Sequence, residues 1–238
     1  MNILSIGNSF SQDATRYLHQ IAHADGVDIN CFNLYIGACS FFRHFKNMKG
    51  NLKEYMLEMN GKSTGFLVTL KEALINREWD VITIQQVSTE SVDFANYKPY
   101  IFELTNYIKE HSPKAKIYIH QTWAYESGSK KINELGYEVY DEMFKDIKTA
   151  YEQAKIEISA DGIIPSGEMI GCILHNGIES VYRDTFHLKL GIGRYAAGLL
   201  WYKVLTGNSV LNNSFCDFDE EVSESEKETV QKIIEEQF

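Results

Sequence analysis

Proline is nearly missing, with three in 238 residues. That leaves little room for a Pro-rich linker, and no low-complexity segment supplies another kind. One continuous domain over residues 1–238 is therefore expected. Cysteine is sparse as well. Cys31, Cys39, Cys172 and Cys216 form no C-x-x-C or similar pairing, so neither a disulfide framework nor a zinc site is indicated. Free thiols in a reducing compartment are the natural reading. No apolar run approaches the about 18 residues that span a bilayer. Positive charge is in deficit, 23 Lys and Arg against 33 Asp and Glu, and the net charge of −10 would repel nucleic-acid phosphates. No basic segment precedes the first apolar run, which predicts a cytoplasmic protein; a chain trimmed of a leader would read the same. No period of 20 to 50 residues recurs.

What is present is ordinary for a globular chain, 44% hydrophobic and 24% charged residues. The opening ten residues are the informative ones. Ile3, Leu4 and Ile6 form a short apolar run that ends at Gly7, as a buried strand would. Gly7-Asn8-Ser9 breaks it, and Ser11 to Asp13 offer caps for a helix expected near Ala14. A strand that stops in a glycine turn and feeds a helix puts that turn at the carboxyl edge of a sheet, where open α/β sheets bind ligands. A serine nucleophile or an anion cradle would be placed where Ser9 stands.

Further strands are expected at Val27–Tyr35, Trp79–Ile84, Lys116–His120 and Ile156–Ile164, separated by segments of helical spacing. One such segment is Leu67–Arg77. Residues 39–64 suit a mixed excursion covering one side of the site. A helix rich in small residues follows Gly191, and Ser223 with Glu226 forms a capping box for an acidic last helix. Strands alternating with helices predict a three-layer α/β/α fold on a five-stranded parallel sheet of flavodoxin-like order 2-1-3-4-5.

The second informative stretch contains Asp184 and His187. At three residues apart in a turn, the carboxylate can hold one imidazole nitrogen while the other points into the cleft. The pair follows the fifth strand, at the sheet edge expected for Ser9. By residue chemistry alone, His120, Gln121 and Trp123 end the fourth strand at that edge, and Trp123 with Tyr125 suits stacking on a sugar face as well as closing the core. Phe41 and Phe42 read as packing residues. His19 and His23 share metal-ligand spacing on a helix face without a third ligand, so surface histidines and no metal are expected.

Gly7-Asn8-Ser9-Phe10 at one end and Asp184-x-x-His187-x-x-x-Gly191 through Tyr195-Ala196-Ala197 at the other resemble the first and last blocks of the SGNH (GDSL-like) hydrolases. The ending is closest to a Bacteroidetes SGNH-like family with a G-N-S-F start. The resemblance implies a serine esterase without cofactor, acting through an acyl-enzyme on a small ester, with an O-acetyl group on a carbohydrate as the expected substrate. It assigns Ser9 as nucleophile, His187 as base and Asp184 as orienter. Gly37 fits the glycine of the second block, which lends a backbone donor to the oxyanion. The third block departs from the usual G-x-N-D. Gln86 is the side-chain donor expected there, with Gln85 second, and Gln85 and Trp123 are expected on the substrate side. A non-catalytic anion- or glycan-binding doubly wound domain is the alternative.

Overall fold

Seven strands form one sheet in the order β4-β3-β2-β1-β5-β6-β7. The computed structural model describes all of residues 1–238. Its strands are β1 (Asn2–Gly7), β2 (Asn30–Tyr35), β3 (Tyr55–Met59), β4 (Lys62–Val68), β5 (Val81–Ile84), β6 (Lys116–Gln121) and β7 (Gly162–Pro165). The helices are α1 (Ser9–Thr15), α2 (Leu18–Ala24), α3 (Phe41–Gly50), α4 (Leu70–Ile75), α5 (Tyr100–His111), α6 (Lys130–Glu134), α7 (Tyr140–Ile158), α8 (Ser166–His175), α9 (Ile192–Thr206) and α10 (Glu224–Gln237).

Strands β2, β1, β5, β6 and β7 are parallel and keep the expected order. They are short and largely buried because helices cover both faces, and all four residues of β5 are buried. Helices α1, α2, α9 and α10 pack together on one face, and α3, α4, α5 and α7 on the other. From β1 the chain steps to β2 on one side and later to β5 on the other. The carboxyl ends of β1 and β5 therefore form the switch point at which such sheets bind ligands. No helix is long and apolar enough to cross a membrane.

The sheet has seven strands where five were expected. Residues 39–64 supply α3 and then the antiparallel strand β3, whose hairpin with β4 extends the β2 edge. The hairpin turns at Asn60 and Gly61, both at positive φ (52° and 79°), the signature of a two-residue type I′ connection. A side chain on Gly61 would also collide with the Arg16 carbonyl. Val68 belongs to β4, so the helix expected over Leu67–Arg77 shrinks to α4, capped reciprocally by Thr69 and Glu72. The strand expected over Ile156–Ile164 is confined to β7, because α7 continues through an exposed Ile156 to Ile158. The Ser223–Glu226 capping box is formed.

Candidate active site

The turn after β1 is tighter than its sequence indicates. Asn8, rather than Ser11 or Asp13, caps α1: its side-chain oxygen accepts from the Phe10 N–H at 3.0 Å. Ser9 is thus the first residue of the helix, and its own N–H has no partner within the protein. Ser11 turns inward instead, its hydroxyl 2.8 Å from both the Asn8 carbonyl and Asn33 Oδ1, with its one proton available to either. Gly7 is required there, because a Cβ would collide with the Ser11 hydroxyl.

The loop between α8 and α9 brings Asp184 and His187 to Ser9. His187 Nε2 lies 2.8 Å from the Ser9 hydroxyl, and Nδ1 lies 2.7 Å from Asp184 Oδ2. The other Asp184 oxygen accepts the His187 backbone N–H at 2.8 Å. Partial burial pushes the Asp184 carboxyl up, but the hydrogen bonds from His187 and the imidazole's charge outweigh it and hold the group below its ordinary range. With an acceptor-only carboxylate at Nδ1, that nitrogen carries the proton and Nε2 is left to accept from Ser9. Between the two side chains, Thr185 sits at φ 81°, a costly conformation for a β-branched residue. Its carbonyl accepts the Glu126 N–H at 2.8 Å, and the next carbonyl, of Phe186, accepts Trp123 Nε1 at 2.7 Å.

Gly37 follows β2 in an exposed turn, and its N–H is likewise free of protein partners. Asn8 fastens this turn to the serine turn, donating from Nδ2 to the Cys39 carbonyl at 3.1 Å. The two free N–H groups are thereby tied together through one side chain.

Gln86 and Gln85 are not open to the cleft. Gln86 is fully buried; its oxygen accepts the Phe41 and Val87 N–H groups, each at 2.9 Å, and its amide donates to the Asn96 carbonyl at 3.1 Å. It braces α3 against the loop after β5 and is not placed to meet an oxyanion. Gln85 is also buried, with its amide on Asn8 Oδ1 at 2.8 Å and its oxygen 2.6 Å from His120 Nδ1. His120 Nε2 in turn lies 3.0 Å from the Ser166 hydroxyl. Full burial drives the His120 pKa down to about 3, so it is a neutral strut rather than an acid or base.

Trp123 is buried too, stacked on Phe10 with ring centroids 4.2 Å apart. It closes the core beneath the His187 loop, leaving no face for a sugar. Phe41 packs in the core, while Phe42 is half exposed over Tyr100. His19 and His23 lie side by side on α2, with His19 Nδ1 on the Ile29 carbonyl at 2.6 Å. Asp13, a cap candidate by sequence, has a different role. It is a buried carboxylate whose Arg partners lie 170 and 181 positions away, a separation that leaves no local signal.

The fold is shared with solved structures assigned to the SGNH (GDSL-like) hydrolases. A protein assigned to the SGNH hydrolases from Slackia heliotrinireducens aligns with TM-score 0.62 at 20% identity, over 86% of this chain and 98% of its own. A lipase/acylhydrolase from Enterococcus faecalis aligns with TM-score 0.56 at 12% identity, over 87% and 95%. The chain belongs to the DUF4886 family, a domain of unknown function, whose model matches residues 2–234. A DUF4886 protein from Bacteroides uniformis is 33% identical, covers 99% of this chain and 93% of its own, and superposes with TM-score 0.91. No curated protein matches the sequence.

Proposed function

We propose that this protein is a serine hydrolase that cleaves a small acyl ester, with an O-acetyl group on a carbohydrate as the substrate class. The observation that carries the reading is the continuous chain from Ser9 Oγ through His187 to Asp184, at 2.8 and 2.7 Å. Ser9 attacks the ester carbonyl while His187 Nε2 takes its proton, and Asp184 stabilises the imidazolium that forms. The free N–H groups of Ser9 and Gly37 receive the developing oxyanion. His187 then returns the proton to the leaving alcohol, and water repeats the cycle on the acyl-enzyme.

A small acyl group is supported by the dense packing at Ser9, whose neighbours Asn8 and Phe10 are buried. The apolar cavity lined by Phe32, Val68 and Trp79 lies elsewhere, on the hairpin side of the sheet. A polar alcohol suits the rim of the site, where Asp184 reaches solvent and Lys131 lies 4.7 Å above the Phe186 ring. The test is labelling by a fluorophosphonate together with turnover of p-nitrophenyl acetate and acetylated sugars. Labelling at Ser9, lost in Ser9→Ala, is expected. A folded wild type that neither labels nor turns over any ester would favour the anion- or glycan-binding alternative.

A further inference from the structure

Asp13 takes no part in the chemistry proposed for Ser9, yet its side chain is completely buried. It stands four residues after Ser9, about one turn along α1. Arg183 Nη1 donates to both its oxygens at 3.0 Å, Arg194 Nε to one at 2.8 Å, and the Leu188 N–H to the other at 3.1 Å. Arg183 and Leu188 immediately bracket the Asp184–His187 turn. That turn is also closed on itself, since the Arg183 N–H donates to the His187 carbonyl at 2.9 Å and the Arg183 guanidinium to the Leu188 carbonyl. Both ends of the segment carrying the base and its orienter are therefore fastened to one carboxylate on the helix that begins with the nucleophile.

We infer that Asp13 is the positioning residue that sets the distance between Ser9 and His187. The inference rests on the reading of those two residues as nucleophile and base. They are 178 positions apart, and no local geometry fixes their separation. A displacement of about 1 Å at such a pair costs about 10²-fold in rate. Charge-assisted bonds to two guanidinium groups are short, directional and hard to deform. Arg194 also reaches Asp219 at 3.1 Å, which holds Arg16 at the end of α1, so the clamp grips the helix at two points.

The experiment compares Asp13→Asn and Arg183→Ala with wild type on p-nitrophenyl acetate. In folded Asp13→Asn, kcat should fall about 10²-fold with KM within about threefold. Added to His187→Ala, the same substitution should cause no further loss, because Asp13 acts through the imidazole. Unchanged kcat, or a loss that adds fully to that of His187→Ala, would overturn the assignment. Should Asp13→Asn fail to fold, Arg183→Ala keeps the carboxylate paired with Arg194 and is read in the same way, a tenfold or greater loss of kcat supporting the inference and no loss overturning it. The proton NMR signal of His187 Nδ1–H gives a readout independent of turnover. It should exchange with solvent faster in either variant, and an unchanged signal would refute the positioning role even if wild type proved inactive and the hydrolase reading failed.

Discussion

The Ser9 hydroxyl and the His187 imidazole meet at 2.8 Å across 178 positions of sequence. Asp184 completes the line but remains half exposed, its side chain 46% accessible. Ser9→Ala and His187→Ala should each lower kcat by at least about 10³, and the double variant should be scarcely worse than either single one, because the pair acts as a unit. Asp184→Asn should cost less, about 10²–10³, since water can partly replace an exposed orienter. Steady-state kinetics on p-nitrophenyl acetate checks all three; fully additive losses would dissolve the triad.

Gln86 should behave as a brace. Gln86→Ala leaves the Phe41 and Val87 N–H groups and the Asn96 carbonyl without partners inside the protein. Destabilisation of about 2–4 kcal/mol is expected from groups of this kind, read as a lower urea midpoint. In the fraction that remains folded, kcat should stay within about threefold. Gly37→Ala should also keep kcat, because the donor is backbone and the new Cβ would meet the Tyr35 hydroxyl at 3.4 Å. A 10²-fold loss of kcat in stable Gln86→Ala would restore its side chain to the oxyanion hole.

The sequence displays the two ends of this site and conceals its middle. Gly7-Asn8-Ser9 is legible because a strand, a glycine and a cap are consecutive in the chain, and Asp184 with His187 because the turn is local. The parallel strands are legible because burial on both faces leaves short, mainly apolar segments. Buried polar residues such as Ser5, Asn33 and Thr83 interrupt them, and the fifth strand proves shorter than its apolar segment suggests. The hairpin is not, since β4 lies at the sheet edge with most of its residues exposed and no alternating pattern. Its one clear signal is Asn60-Gly61, a dipeptide favoured at type I′ turns. Gln86 stands where a block-three donor would stand, but which way a strand-end side chain turns depends on Phe41 and Asn96, 45 and 10 residues away. Trp123 suited a platform and a core plug equally by composition; Phe10 and the Phe186 carbonyl decide between them.

Acid should unfold the protein from the histidines first. His44 and His120 are fully buried, and burial lowers both pKa values from 6.5 to about 3. Between those values the unfolded chain binds protons that the folded chain does not, so stability is full above pH 6.5 and falls as pH drops towards 3. Each residue should remove about 1.4 kcal/mol per pH unit in that window, or about 2 kcal/mol between pH 6.5 and 5. Urea unfolding at pH 7.5 and 5.0 measures the loss. His120→Gln should reduce it by roughly half, whatever it does to stability at neutral pH. An equal pH dependence in wild type and variant would mean that His120 protonates in the folded state.

Trp123 offers the sharpest separation between a sugar platform and a prop for the catalytic loop. Its indole N–H holds the Phe186 carbonyl at 2.7 Å, next to His187, and its ring lies on Phe10, next to Ser9. Trp123→Phe keeps an aromatic ring on Phe10 but removes the donor, leaving a carbonyl without its partner beside a turn already held at an unfavourable Thr185 φ of 81°. The His187 turn should loosen, with a loss of about 1–3 kcal/mol in stability and a fall of about tenfold or more in kcat. KM should change equally little for p-nitrophenyl acetate and for an acetylated sugar, because the buried ring touches neither. A platform would give the opposite split, raising KM for the sugar ester by the about 1 kcal/mol or more that stacking supplies while sparing p-nitrophenyl acetate. A KM rise confined to the carbohydrate would therefore return Trp123 to the substrate side of the site.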